Sequence, residues 1–230
     1  MHSGIVKSTV LVGRSQGFGE EIANSVSHGL ACALSVFALV LLVKTSVVHS
    51  TVTLVAAIVF GVTMVLLYLV STLYHALPQG KAKRIFMVLD HSAIYLFIAG
   101  SYTPFALGPL AGGWGWTIFG LIWGLALLGV SFKALGLLNR PWLSNSFYLA
   151  MGWLVVIAVV PLTQRVAPLG LILLISGGLA YTLGIVFFSL DSRWKYAHTI
   201  WHGFVVAGSG CHFVAALNYA VPWAGQVGSG

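Results

Sequence analysis

Acid is almost missing from this chain. Only four Asp and Glu occur in 230 residues, and charged residues of both signs make up 7%. A soluble domain carries about 25%, so there is too little polar surface here to clothe a water-exposed fold. Hydrophobic residues reach 59%, which equally excludes a disordered chain. Cysteine is scarce too. Cys32 and Cys211 both fall in apolar runs and form no Cys-x-x-Cys, which excludes a disulfide framework and a thiolate metal site. The net charge of +7 reflects the missing acid. Its basic residues are scattered singly, with Lys81, Lys83 and Arg84 the one tight group. No helix carries the basic stripe that nucleic acid requires, and anionic lipid headgroups are the better counter-charge.

Long apolar runs are what the chain has in quantity. A helix needs about 20 mostly apolar residues to cross a hydrocarbon core of about 30 Å. The runs at roughly 22–43, 52–74, 86–108, 114–132, 144–163, 168–189 and 197–218 qualify. They are continuously apolar rather than alternating, which disfavours barrel strands. The expected fold is therefore an all-α integral membrane protein, a seven-transmembrane helix bundle. It comprises a short N-terminal segment (1–20), a membrane domain (21–220) and a tail (221–230). The third and fourth runs are separated only by the uncharged Gly108-Pro109-Leu110-Ala111-Gly112-Gly113. Charge tests the count. If seven spans alternate, the N-terminal side receives Lys7, Arg14, Lys81, Lys83, Arg84, Lys133, Arg140, Arg193 and Lys195. The other side receives Lys44 and Arg165. The positive-inside rule then puts the N-terminus in the cytoplasm and the C-terminus outside. Among the 27 glycines, Gly120-x-x-x-Gly124 has the spacing of close helix packing. Gly13-x-x-x-Gly17-x-Gly19 lacks the strand and the Gly-Lys-Ser/Thr ending of a phosphate loop.

Polar residues in such spans are expensive and so mark pairing, binding or a cavity. Glu21, Asn24 and His28 share one face of the first span. Ser71 and His75 share a face at the end of the second, Asp90 opens the third, and His198 and His202 open the seventh. With alternating spans, all these ends lie at one membrane depth. A His-x-x-x-His pair joined by a third histidine gives three protein ligands and an open position, the pattern of a catalytic zinc site. Imidazole also suits iron, copper and nickel, but a nitrogen-only donor set favours zinc. The sequence places Thr199 where a His-Glu-x-x-His protease has its glutamate. Asp90 is then the candidate base for water at the metal. His212 lies fourteen residues beyond His198, about 21 Å along a helix, which suits a cavity wall or a bond to a neighbouring span. His91 points away from Asp90 and reads as structural, and His2 and His49 read as solvent-side. Tyr68, Tyr74, Tyr95 and Tyr102 read as aromatic packing.

The motifs Glu21-Ile-Ala-Asn24-Ser-Val-Ser-His28, Ser71-Thr-Leu-Tyr-His75, Asp90-His-Ser and His198-Thr-Ile-Trp-His202 resemble those of the haemolysin III family. That family is the bacterial branch of the progestin and adiponectin receptor (PAQR) superfamily. The resemblance covers about residues 18–220. It implies a seven-helix bundle with a cytoplasmic N-terminus in the bacterial inner membrane, and zinc held by His75, His198 and His202. It further implies that Asp90 contacts water at the zinc and that Ser71 is a polar neighbour of the site. Relatives in a wider superfamily include ceramidases, so hydrolase chemistry follows by analogy.

Three functions compete. The first is zinc-dependent hydrolysis of a lipid amide or ester, with Asp90 and Ser71 at the reaction and Glu21, Asn24 and His28 as surrounding or headgroup contacts. The second is a sensor or regulator of membrane state in which zinc ties helices together. The third is a pore or transporter, against which stands the confinement of ionisable residues to one end.

Overall fold

The computed structural model describes residues 16–225. Residues 1–15, with Lys7, Arg14, His2 and Gly13, and the tail beyond 225 lie outside the described residues. The helices are α1 (Phe18–Ser46), α2 (Thr51–Ala76), α3 (Lys81–Leu107) and α4 (Gly113–Ala134), followed by α5 (Pro141–Gly152), α6 (Val159–Arg165), α7 (Pro168–Leu190) and α8 (Ala197–Ala215). Seven spans are long and apolar enough to cross a bilayer, the fifth being α5 and α6 together as Pro141–Arg165. The shortest has 22 residues, about 33 Å at 1.5 Å per residue. The chain is a multi-pass membrane protein, and the expected runs match the observed spans, the third overrunning its helix by one residue and the seventh lying within Ala197–Ala220.

Local chemistry sets the helix ends. Ser50 caps α2 by accepting the Thr53 N–H at 3.1 Å, as N-cap serines do. Pro141 and Pro168 open α5 and α7, where the missing N–H costs nothing. Gly112, at φ +107°, turns the chain between α3 and α4; this conformational freedom, rather than charge, makes the turn between the two uncharged runs.

The helices are inside-out relative to a soluble bundle. The buried positions of α1 are Glu20, Asn24, His28, Ala31, Ser35, Ala38, Leu42 and Ser46, spaced three or four apart, while Val26, Leu30, Leu34 and Phe37 are exposed. Polar and small residues face inward and large apolar ones outward, as lipid demands. α1 packs on α2, α2 on α3, α3 on α4 and α7 on α8, and α1 meets α8. That last contact brings the first and last spans together at the polar end. Gly120 and Gly124, however, meet nothing within 4 Å. The close approach in α4 is at Gly129 instead, where a Cβ would lie 2.6 Å from the Tyr95 ring.

The fifth span is broken. A 3-10 segment (Leu154–Ala158) separates α5 from α6, and the Tyr102 hydroxyl of α3 stitches the break. It accepts the Val155 N–H at 3.0 Å and shares its proton between the carbonyls of Gly152 (2.6 Å) and Met151 (3.0 Å). Backbone groups freed within a bilayer need such partners. Tyr102 is therefore more than aromatic packing.

Candidate metal centre

The end of α2 and the start of α8 bring His75, His198 and His202 together, all buried, with ligand atoms within 4.8 Å of one another. Their ring centroids are 4.8–5.2 Å apart. The two α8 histidines lie on successive turns, and α2 supplies the third ring from across the bundle.

One nitrogen of each ring is held. His75 Nδ1 donates to Glu21 Oε2 of α1 at 2.7 Å, and His198 Nδ1 to Asp191 Oδ2 of the α7–α8 loop at 3.3 Å. His202 Nδ1 lies 3.0 Å from Ser27 Oγ. Ser27 already donates its only proton to the Asn24 carbonyl at 2.9 Å, so it accepts from His202. These partners fix one tautomer in all three rings, with the proton on Nδ1 and a lone pair on Nε2. All three Nε2 atoms are buried and make no hydrogen bond. Three convergent, unpaired imidazole lone pairs fit a cation, and carboxylates behind histidines are the usual supporting shell of a metal. Tetrahedral zinc spaces such nitrogens about 3.4 Å apart, and the ligand atoms here lie within 4.8 Å of one another.

Around the cluster the bonds continue. Glu21 Oε1 pairs with Lys83 Nζ at 2.8 Å, and Lys83 also donates to the carbonyls of Tyr74 (3.0 Å) and Leu77 (3.2 Å). Its ammonium sits 4.8 Å from the Tyr74 ring centroid. Thr199 donates to Asn24 Oδ1 at 2.5 Å, Asn24 Nδ2 to Gln16 at 2.8 Å, and Gln16 to Asp191 Oδ2 at 2.9 Å. This string ties α8, α1 and the α7–α8 loop together. His28 lies parallel to His202, centroids 3.4 Å apart, with Nδ1 2.8 Å from Ser71 Oγ. His28 Nε2 is buried and unbonded. Asp90 is 4% exposed but stands outside the 4.8 Å ligand group. A pocket of about 520 Å³ between α1 and the end of α2 reaches Glu21 and His75.

Several participants escape a sequence reading. Asp191 looks like a turn residue, seven positions before His198 with no helical register between them. Ser27 lies off the Asn24–His28 face. Lys83 looks like a surface charge yet is 6% exposed. Glu20 accepts both the Gly17 N–H and the Tyr196 N–H at 2.8 Å; only its position three residues after the N-cap Gly17 signals the first. His212 does what its depth suggests. It lines an apolar cavity of about 280 Å³ with Tyr102 and Trp153, and its Nε2 lies 3.3 Å from the Leu174 carbonyl of α7. His49 is exposed, as expected.

Fold and cluster together define a seven-span membrane protein with a buried three-histidine centre at one end of the bundle. Residues 16–213 match the family model "Haemolysin-III related". The chain is 44% identical over 206 residues to Hemolysin-3 of Bacillus cereus, covering 89% of this chain and 94% of that one. It is also 44% identical over 203 residues to the Hemolysin-3 homolog of Bacillus subtilis, covering 88% and 95%. With the human Monocyte to macrophage differentiation factor it shares 33% over 174 residues, 72% of this chain and 70% of that one. The chain belongs to the haemolysin III family, a branch related to the PAQR superfamily.

Proposed function

We propose that this protein is a zinc-dependent hydrolase of lipid amides or esters in the bacterial inner membrane, its N-terminus and histidine cluster on the cytoplasmic side. The observation that carries the reading is the set of three buried, unbonded Nε2 lone pairs on His75, His198 and His202. The orientation draws on the excess of Lys and Arg at that end. Asp90 and Ser71 supply what a bare trihistidine site lacks, a carboxylate outside the ligand set and a hydroxyl beside it.

Zinc, which His75, His198 and His202 would hold, would supply a Lewis acid to polarise a carbonyl and acidify water. Glu21, Ser27 and Asp191 keep the rings turned toward it. Asp90 takes one proton from the attacking water as a new C–O bond forms at the carbonyl carbon. It returns that proton to the amine or alcohol as the C–N or C–O bond breaks, so one water is consumed per acyl group released. Ser71 holds the His28 ring. His28 Nε2 contacts the polar head of the lipid, Asn24 supports the site through Thr199 and Gln16, and the apolar walls of the bundle take the chains.

The deciding experiment is metal analysis of purified wild type and His202→Ala beside mass spectrometry of lipids incubated with each. One zinc per wild-type chain, none in the variant, and a fatty acid released only by wild type is the expected result. Zinc bound with the lipids unchanged would instead support a zinc tie between helices that senses membrane state. Wild type without metal would remove the centre itself.

A further inference from the structure

A second polar cluster lies at the same end of the bundle, between α3, α4, α5 and α7, and no step of the proposed reaction uses it. Tyr95 is fully buried. Its ring lies 4.6 Å from that of Tyr148, and its Oη has no partner within hydrogen-bond distance. Asn145, 6% exposed, has an unbonded Oδ1 and reaches Ser189 of α7 only through a long 3.4 Å contact. His91 has a buried, unbonded Nδ1, and its carbonyl accepts the Tyr148 hydroxyl at 3.0 Å. Lys133, 8% exposed, has three donors and one long bond, 3.4 Å to the Leu138 carbonyl.

These atoms are contiguous. The Leu138 carbonyl also accepts from Ser144 at 2.9 Å, the Tyr95 and Tyr148 rings are 4.6 Å apart, and the Tyr148 hydroxyl reaches the carbonyl of His91, which follows Asp90 in α3. Isolated orphan atoms arise in any core, but three within one interface, flanked by an under-bonded lysine, do not suit a dry one. Buried polar groups find partners, and where side chains fail to supply them ordered water does.

We infer that the interface between α3, α4, α5 and α7 binds a chain of ordered water molecules running from Lys133 past Asn145, Tyr95 and His91 to Asp90. Each orphan atom gains a partner, and Asp90 gains a hydrated route to the loop at 135–140. In the hydrolase this route delivers the water that is consumed; that consequence rests on the proposed function, whereas the hydration does not.

Millisecond hydroxyl-radical labelling of the detergent-purified full chain, read residue by residue by mass spectrometry, tests the inference. Phe60, equally buried but in the apolar core, serves as the dry reference after correction for intrinsic reactivity. Tyr95 and Tyr148 are expected to label well above Phe60 despite their burial, because bound water yields radicals beside them. In Asn145→Leu, and separately in Lys133→Met, Tyr148 is expected to lose this labelling down to the Phe60 level. Wild-type labelling of both tyrosines at the Phe60 level would overturn the inference, and this arm needs no variant to fold. Labelling of Tyr148 that survives in both variants would overturn it too. Labelled tyrosines in a protein that releases no fatty acid would remove the hydrolase and leave the water chain standing.

Discussion

Glu21 Oε2 accepts the proton of His75 Nδ1 at 2.7 Å, across the interface of α1 and α2. The bond leaves His75 Nε2 with its lone pair aimed into the cluster and turns a first-span carboxylate into a support for a second-span ligand. Removing such a support typically lowers metal affinity about 10–100-fold. Glu21→Ala is expected to fall in that range and Glu21→Gln to lose less, because the amide oxygen still accepts from Nδ1. Competition with a chelator of known affinity, on folded protein, measures both. Equal affinity in wild type and Glu21→Ala would refute the role.

Lys83 is the other partner of Glu21, and it is buried while Lys81 is exposed. Lys83→Met leaves the carboxylate with His75 alone and strips the Tyr74 and Leu77 carbonyls of a donor. A loss of about 2 kcal/mol is expected for such charge-assisted bonds, read as a lower midpoint of thermal unfolding. Lys81→Met, a surface change, is expected to stay within about 0.5 kcal/mol.

Removal of the proposed zinc is expected to destabilise the fold, since a ligand bound only to the native state adds RT ln(1 + [L]/Kd). At a thousandfold excess over Kd that is about 4.1 kcal/mol. Acid should have the same effect. The three Nε2 lone pairs that would hold the metal are the atoms that take protons, so affinity falls as pH is lowered. Chelator and acid titrations of the thermal midpoint should therefore converge on one metal-free value. In His202→Ala, neither the chelator nor the loss of metal in acid should shift it further.

Run lengths, helix-face spacing and the His-x-x-x-His pair were enough to bring Asn24, His28, Ser71, His75, Asp90, His198 and His202 to one end of the bundle, because those patterns repeat with the helix. What escaped was carried by loops and by partner identity. Asp191 reaches His198 through a loop, Lys83 folds back under α2, and Tyr102 meets a break in the fifth span, α5–α6, that no proline or glycine pattern marks uniquely. Gly120 and Gly124 show the opposite failure. Their spacing suits close packing, yet spacing does not say which face of α4 meets a neighbour, and Gly129 is the residue that does.

The stitch at Tyr102 makes a testable difference between a hydroxyl and a ring. Tyr102→Phe keeps the aromatic packing and removes the only side-chain partner of the Val155 N–H among the described hydrogen bonds, together with the donor to Gly152 and Met151. A cost of about 1–3 kcal/mol is expected for backbone groups left without partners, or several degrees in the unfolding midpoint.

Gly129 and Gly124 give the sharpest test of the packing itself, since both lie in α4 and only one touches another helix. A methyl at Gly129 enters the Tyr95 ring, which is fully buried. Gly129→Ala is therefore expected to cost about 1–3 kcal/mol, the usual range for overpacking. At Gly124 an added Cβ meets nothing within 4 Å, and alanine favours the helix over glycine by about 1 kcal/mol. Gly124→Ala should then be neutral or stabilising. Thermal unfolding of the two variants in the same detergent decides the matter. Equal destabilisation by both would mean that the Gly120–Gly124 face is itself packed, against a second copy of the chain or another membrane partner.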